Sequence, residues 1–595
     1  MADQGQGSPT IAGVAVYLEG VAKYLVAKLY GAAGPTWGTS LTQLEDLILH
    51  LQQALAEHCF TLALTQQAQQ LTSGPEDLRL CPTCGQPLPC TQLQNRSTNT
   101  RAGLARWSEP VAHCDHCRRD FFPQSRALGI DQSSLSPGFL RKVIAVATRC
   151  RSFLDADELL RELSGLDLGP KQIERLVHKI GQERIDERDQ AVERFQQLPL
   201  AEKFAVPAGV AAPELAVVMT DGGRYQKRFP PKPANAKLAG TTAPAPTASA
   251  SEQATTPDET EEEEKATHWR EDKIGLLLTM TSKVSDSDPC PVIPKAFVDP
   301  KRIPKLAREI RKQVRQGEEA AAPAEDPDTD AAAFVEESKY EPPKPGGRQV
   351  VASSMPWPLF ALVVAQAAWA LGFQGAKRKA FVGDGSDKNW DIQQRFFGSF
   401  VPILDFIHVL SYVYAVAQVG RDRVLGWRVY VRWITWVWEG QVAKVIEELA
   451  VVQAEVGLPE ESDGETHPRV LVAQTLGYLR NQSDRMKYPE YRQQGLPITS
   501  SLVESTVKQI NHRVKGTEKF WTEAGAESIL QLRADQLSDG VLETFWQRRQ
   551  EGANGRRRYR RAKPVQARRC RPTCRSCSKT TTKRRSSKKI NVSLP

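Results

Sequence analysis

Nothing in this sequence is both long and apolar enough to suggest a membrane span. The one segment that raises the question, 349–376, has no Lys, Arg, Asp or Glu, but Pro356, Pro358 and Gln366 interrupt it. Its apolar core, 359–373, is shorter than the ~20 residues a span needs, so a buried helix is expected. A secretory leader is not recognisable either: 1–10 is polar, and the apolar stretch from Ile11 is broken by Glu19 and Lys23. A cytoplasmic location is the resulting expectation. An even set of cysteines is also lacking. There are 11, six of them in three CxxC pairs, which without a secretory context favours metal ligation over disulfides. A net positive charge is lacking outside the tail. From Glu551 onward there are 16 Lys or Arg and one acid, a net +15 against +9 for the whole chain, so the rest is net −6. The basic tail suits an anionic polymer as partner.

What is present divides the 595 residues into several domains. Residues 1–75 form an N-terminal helical region, with Leu44, Leu47, Leu51 and Leu55 at helical spacing inside a helix predicted over 41–71. Cys81-Pro-Thr-Cys84 and Cys114-Asp-His-Cys117 follow, 29 residues apart. Two such turns can present four thiolates to one tetrahedral Zn²⁺, predicting a zinc ribbon over 76–128. Cys90, His113 and His116 are spare candidates, so the fourth ligand stays open.

Residues 129–195 read as three helices, the last predicted over 171–181. Gly165 closes the second and Gly169-Pro170 opens the third. This is a candidate helix-turn-helix DNA-binding domain whose reading face carries Lys171, Gln172, Arg175 and Lys179. A plain three-helix packing unit fits the same pattern. Stretches 230–266 and 317–347, rich in Pro, Ala, Thr and acids, read as disordered insertions in the domain that follows, 205–545. The apolar run 274–279 between them reads as a strand.

Three acids stand out by context. An apolar strand, 216–220, is predicted to end at Asp221-Gly-Gly, and another, 379–383, at Asp384-Gly. Glu504 lies on a helix with apolar face Val503, Val507, Ile510 and Val514, and shares its other face with Lys508, Asn511 and Lys515. Strand ends fix side chains and Gly permits close approach. Two Asp and one Glu supply the hard oxygens that two Mg²⁺ (or Mn²⁺) ions prefer. Taken singly, Asp-Gly is also a common turn signal.

In order, the ribbon, the helix-turn-helix, "TDGGR", "GDGSDKNW", "ILDFIH", "PITSSLVESTVKQINHRVKGTEKFW" and "AESILQLRA" resemble the ISKra-type insertion-sequence transposases of the Mutator-like group. The resemblance spans about 81–546 and is most specific over 496–533. It implies an RNase H-like mixed α/β core with an all-helical insertion (408–490), and a catalytic triad of Asp221, Asp384 and Glu504. Asp405 competes with Asp384. In the wider group a DxxH element follows the second acid, so Asp405 and His408 are read as an accessory structural or substrate-positioning pair; a satisfied His at a strand-to-helix junction is the plainer reading. Trp427, Trp433, Trp436 and Trp438 fit a core, with stacking on an unpaired base as the alternative. The tail 551–595 reads as disordered and DNA-binding by charge, and Cys570, Cys574 and Cys577 receive no site because a fourth ligand is missing.

The expected protein is a nucleoid-associated transposase. It would take double-stranded transposon-end and target DNA as partners, Mg²⁺ or Mn²⁺ in the catalytic site and structural Zn²⁺. It would act as a homodimer or larger assembly, without a membrane. A transposase-derived DNA-binding regulator is the alternative.

Overall fold

The computed structural model describes residues 14–70, 76–130, 134–164, 168–228, 268–315, 340–516 and 518–551. The tail with Cys570, Cys574 and Cys577, the stretch 230–266 and most of 317–347 lie outside them. The chain is multidomain α/β and separates into two compact units, 1–98 with 103–134 and 551–595, and 99–102 with 135–550. No described helix is long and apolar enough to cross a membrane.

The first unit contains α1 (Ala15–Tyr30), α2 (Leu41–Gln69), β1 (Cys90–Thr100), β2 (Gly103–Cys114), β3 (Arg119–Phe121) and α3 (Pro123–Ala127). Ser40 starts α2 through a capping box with Gln43. The three strands form one sheet in the order β1-β2-β3. Glu57 of α2 ties helix to sheet by accepting the Leu104 N–H at 2.9 Å.

The second unit opens with α4 (Pro137–Arg149), α5 (Phe153–Ser164), α6 (Pro170–Gln197) and α7 (Leu200–Lys203). The first three are the helices expected to form a separate domain over 129–195. Instead Phe139, Val143, Leu160, Ile173, Val177 and Ile180 share one continuous core with the sheet that follows. The third helix does not stop at Gly181. That residue is buried at the crossing with α17 (Glu523–Leu537), where an added Cβ would sit 2.5 Å from the Ser528 Cβ. Gly181 is kept for close packing, and α6 runs on to place Arg184 against Asp535 at 2.7 Å and Arg188 against Glu527 at 2.7 Å.

The central sheet comprises β4 (Leu215–Lys227), β5 (Trp269–Thr281), β6 (Lys344–Ser353), β7 (Arg378–Gly383) and β8 (Val401–Leu404), in the order β6-β5-β4-β7-β8. β9 (Phe520–Trp521) adds to β4. β5 is antiparallel to both of its neighbours, β4 and β6, while β7 and β8 run parallel to β4. β6 begins at Lys344, so the end of the expected insertion 317–347 is strand. α8 (Ile303–Arg315), α9 (Trp357–Ala370) and α10 (Asp387–Phe396) follow β5, β6 and β7. α9 is the buried helix expected within 349–376, with Phe360, Val363, Val364 and Ala367 in the core.

Beyond β8 the elements are helical: α11 (Phe406–Ala417), α12 (Arg423–Trp438), α13 (Val442–Val456), α14 (Pro468–Gln482) and α15 (Tyr488–Gln493). Then come α16 (Ser501–Val514), α17 and α18 (Val541–Glu551).

Candidate functional site

Strand register brings the first two acids together. β4 and β7 are parallel with Met219 opposite Val382, and the same offset two residues on sets Asp384 beside Asp221. β4 does not end there, because neither Gly222 nor Gly223 takes a positive φ and pairing with β5 continues to Gln226 opposite Trp269. Glu504 comes from the first turn of α16, which packs on β4 and β5. Burial, then the Asp384 charge, push the Asp221 carboxyl up to about 7 against the Gly222 N–H, with Glu504 adding to the rise. Burial and the Asp405 charge also raise Glu504. Carboxyls crowded this way favour either protons or a cation.

Asp384 is held from several elements. Its Oδ1 accepts the Ser386 N–H at 2.9 Å and the Asn389 amide at 2.8 Å. Asn389 in turn accepts the Thr220 hydroxyl at 2.6 Å, so a buried bridge joins the two acid-bearing strands. The Tyr478 hydroxyl donates to the Asp384 carbonyl at 2.9 Å, and the Gln482 amide to the Gly385 carbonyl at 3.1 Å. α14 therefore fixes the Asp-Gly turn. Gly385 has φ +101°, and a Cβ there would lie 2.7 Å from the Tyr478 ring. Gly385→Ala is expected to cost about 2–4 kcal/mol from backbone strain and overpacking. A denaturant midpoint equal to that of the parent protein would contradict this.

Asp405 is built differently. It is fully buried as the N-cap of α11. Its Oδ2 accepts the His408 N–H at 2.8 Å and faces His408 Nδ1 at 2.7 Å, while Oδ1 accepts the Ser500 N–H at 2.7 Å. His408 Nδ1 is also 4.0 Å from Glu504. Burial alone would lower the His408 pKa, but the hydrogen bond to Asp405 and the charges of Asp405, Asp384 and Glu504 lift it to about 10. The ligand atoms of Asp405, His408 and Glu504 are close enough to hold a metal ion. Against that use, both Asp405 oxygens already take hydrogen bonds, whereas among the described residues Asp221 accepts only its neighbour's N–H, at 2.7 Å.

A further acid, not singled out in the sequence, is Asp272 on β5. It is fully buried, and neither of its carboxylate oxygens has a partner; Asn511 Oδ1 lacks one too. Both face Gly223, where a Cβ would meet Asp272 at 2.8 Å and Asn511 at 2.9 Å. Burial pushes Asp272 up to about 7.

These shifts set a pH dependence. Between the ordinary Asp value of 3.8 and about 7 the folded chain holds protons on Asp221 and Asp272 that the unfolded chain releases. Stability without added metal should therefore fall by at least about 1 kcal/mol as pH rises through that window. His408, raised from 6.5 to about 10, contributes stability that is full below 6.5 and lost above. Mg²⁺ should oppose the carboxylate part, and Asp221→Asn should flatten it. A melting midpoint that climbs between pH 5 and 7 without metal would refute this.

The four cysteines of the first unit converge. Sγ of Cys81 and Cys117 are 3.8 Å apart, those of Cys84 and Cys114 3.6 Å, and all four lie within 4.8 Å of one another. Tetrahedral Zn–S bonds of ~2.3 Å require sulfur separations of about 3.8 Å, so the cluster could hold a zinc ion and is compatible with a zinc ribbon. Cys90, His113 and His116 are outside this set of four. In both turns the residue after the second cysteine is left-handed, Gly85 at φ 77° and Arg118 at φ 50°. Burial opposes ionisation of Cys81, yet the Cys84 and Thr83 N–H groups bring it down to about 7.

Of the other expected contacts, Lys171 and Arg175 are exposed on α6, Gln172 and Lys179 half-buried. Lys171 pairs with Glu174 at 2.9 Å. Lys508 is exposed, and Lys515 sits 5.8 Å from the Trp269 ring centre. Trp433 and Trp438 are core residues, while Trp427 and Trp436 are half-buried. Sequence reasoning missed Asn389, Tyr478 and Asp272; only Asn389 falls inside a motif it quoted. Against known proteins, the sequence matches no family model and no curated protein.

Proposed function

We propose that this chain is a DDE-type DNA transposase that cuts the ends of a mobile element and joins the freed 3′-hydroxyl to target DNA. The observation that carries the reading is the parallel register that sets Asp384 beside Asp221, with Glu504 within their electrostatic reach. The strand order, three antiparallel strands followed by two parallel to the central one, is the one an RNase H-like core calls for. The family resemblance of the quoted motifs points the same way.

In this reading Asp221, Asp384 and Glu504 hold Mg²⁺ or Mn²⁺, their oxygens matching the preference of these ions. When bound, the metal supplies activation of the attacking oxygen and stabilisation of the leaving one. Asn389 and Tyr478 keep Asp384 in place. Asp405 anchors both α11 and the loop before Glu504 through the Ser500 N–H, which makes Asp405 and His408 positioning residues. Lys508 lies one turn from Glu504 and suits a DNA phosphate, as does Lys515.

The ribbon, with structural Zn²⁺, and the exposed Lys171 and Arg175 of α6 would grip DNA outside the cut. Exposed Tyr17, Leu18, Val21 and Tyr24 on α1 give an apolar face that a second copy would cover, in keeping with a dimer on DNA at the nucleoid.

The test is to incubate the full chain with duplexes carrying the ends of its own element and Mg²⁺. Nicking at the ends and joining to a second duplex is expected. Binding without cleavage would replace the reading by a DNA-binding regulator, and cleavage without joining by a nuclease.

A further inference from the structure

α16 has a second charged flank. At 3.6 residues per turn, Glu504, Lys508, Asn511 and Lys515 share one side, and Thr506, Gln509 and Arg513 fall about half a turn away. On that far side six cations from five places in the chain are linked. Arg513 is 1% exposed. It donates to the carbonyls of Ala147, at 3.0 Å, and Arg151, at 3.3 Å. Arg149 donates to the Ala145 carbonyl at 3.0 Å, which Gln536 of α17 also reaches, at 3.3 Å. Arg533 of α17 donates to the Gln509 carbonyl at 3.3 Å, and Arg348 of β6 to the Thr506 hydroxyl at 2.8 Å. Lys519 donates to the His512 carbonyl at 3.2 Å.

None of the six forms a salt bridge among the described residues. Asp155, which accepts from Ser152, and Asp539, which accepts from the Arg348 backbone N–H, favour the charged forms only through space. Capping of the carbonyls that end α4 and α16 accounts for part of Arg513 and for Lys519. It does not account for the fully buried Arg513 NH2 and Arg348 Nε, which have no partner. Burial and mutual repulsion also destabilise the charged forms. Arg513 is brought down to about 10 by burial and Arg533, and Lys519 to about 8 by burial, Arg513 and Arg151. Burial, with Arg149 and Arg348, lowers Arg533 too. The Arg513 guanidinium is covered by the Phe153 and Trp521 rings, 4.5 and 5.1 Å away, so it adds charge from behind, and a cluster of like charges without a salt-bridged carboxylate is what an anion of several oxygens would offset.

We infer that Arg149, Arg151, Arg348, Lys519 and Arg533 form a phosphodiester-binding face, separate from the catalytic one and across α16 from it, with the buried Arg513 behind them. Arg149 and Arg151 are exposed and would meet the backbone first, with Arg348 and Arg533 half-buried behind them. Such contacts fix the position of DNA without reading its sequence. The choice of DNA over other polyanions rests on the function proposed above.

The test measures binding of the full chain to a duplex of arbitrary sequence by fluorescence anisotropy, without Mg²⁺, from about 50 to 200 mM salt. Each phosphate contact contributes about 0.9 to the slope of log K against log salt. Arg149→Gln with Arg533→Gln should bind more weakly and lower that slope by about 2. Arg423→Gln with Arg428→Gln, the same charge change on α12, should leave it unchanged. Should the first pair fail to fold, the exposed Arg149→Gln alone should lower the slope by about 1. Parent-like slopes in the Arg149 variants, or an equal fall in the α12 control, would overturn the inference while the transposase reading stands. Normal slopes and losses without any Mg²⁺-dependent cleavage would sink that reading and keep the face. No binding by the parent chain would remove both.

Discussion

Replacing Asp384 by alanine or asparagine is expected to abolish Mg²⁺-dependent cleavage, by roughly 10³-fold or more, with DNA binding retained. A metal ligand of this kind supports several kcal/mol of transition-state charge stabilisation, and each 1.36 kcal/mol is tenfold in rate. Asp405 should behave differently, because its oxygens are spent on three N–H groups of the chain. Asp405→Ala strands two buried backbone donors at about 1–3 kcal/mol each, so its main effect should be on the melting midpoint. Asp405→Asn, which keeps an acceptor at the cap, should recover most of the stability and part of the activity. Cleavage that survives Asp384→Asn but is lost in a fully stable Asp405→Asn would exchange the roles of the two acids.

Removing zinc should unfold the cysteine region. The core there consists of Cys81, Leu88, Ala112, Cys114 and Phe121, so two of its five buried members would themselves be zinc ligands. Binding of a structural zinc contributes apparent free energies of about 10–16 kcal/mol, against a whole-domain stability of only about 5–15 kcal/mol. The purified chain should carry one zinc. A strong chelator, or Cys114→Ser, should open 81–117 to proteolysis, and zinc should restore protection in the chelated parent protein alone. Protection that persists after complete chelation would show that the strands fold unaided.

Local signals made several of these features legible. Two CxxC turns have a fixed geometry wherever they occur, and the four thiols meet as the spacing allows. Asp384-Gly385 was legible because the strand does stop there and Gly385 takes a positive φ. The same Asp-Gly signal misled at Asp221, where β5 supplies a partner strand from across a long insertion and the chain stays extended. Gly181 read as a helix stop because nothing nearby announces Ser528, with which it packs more than 300 residues later. Tyr478 and the arginine face are invisible for the same reason: each acts through partners brought close only by the fold, whereas Asn389 bonds Asp384 from five residues on and only its Thr220 contact is long-range. Tyr478 reaches Asp384 across 94 positions, and Arg513 reaches Ala147 across 366.

The central claim, that Asp221, Asp384 and Glu504 together hold the catalytic metal, is tested most directly by locating Mn²⁺ through its anomalous scattering in crystals of the full chain. Density ligated by Asp221 and Asp384, with Glu504 beside it and lost in the Asp384→Asn variant, is the predicted result. Mn²⁺ bound only by Asp405, His408 and Glu504, or no ion at any of the five, would contradict it.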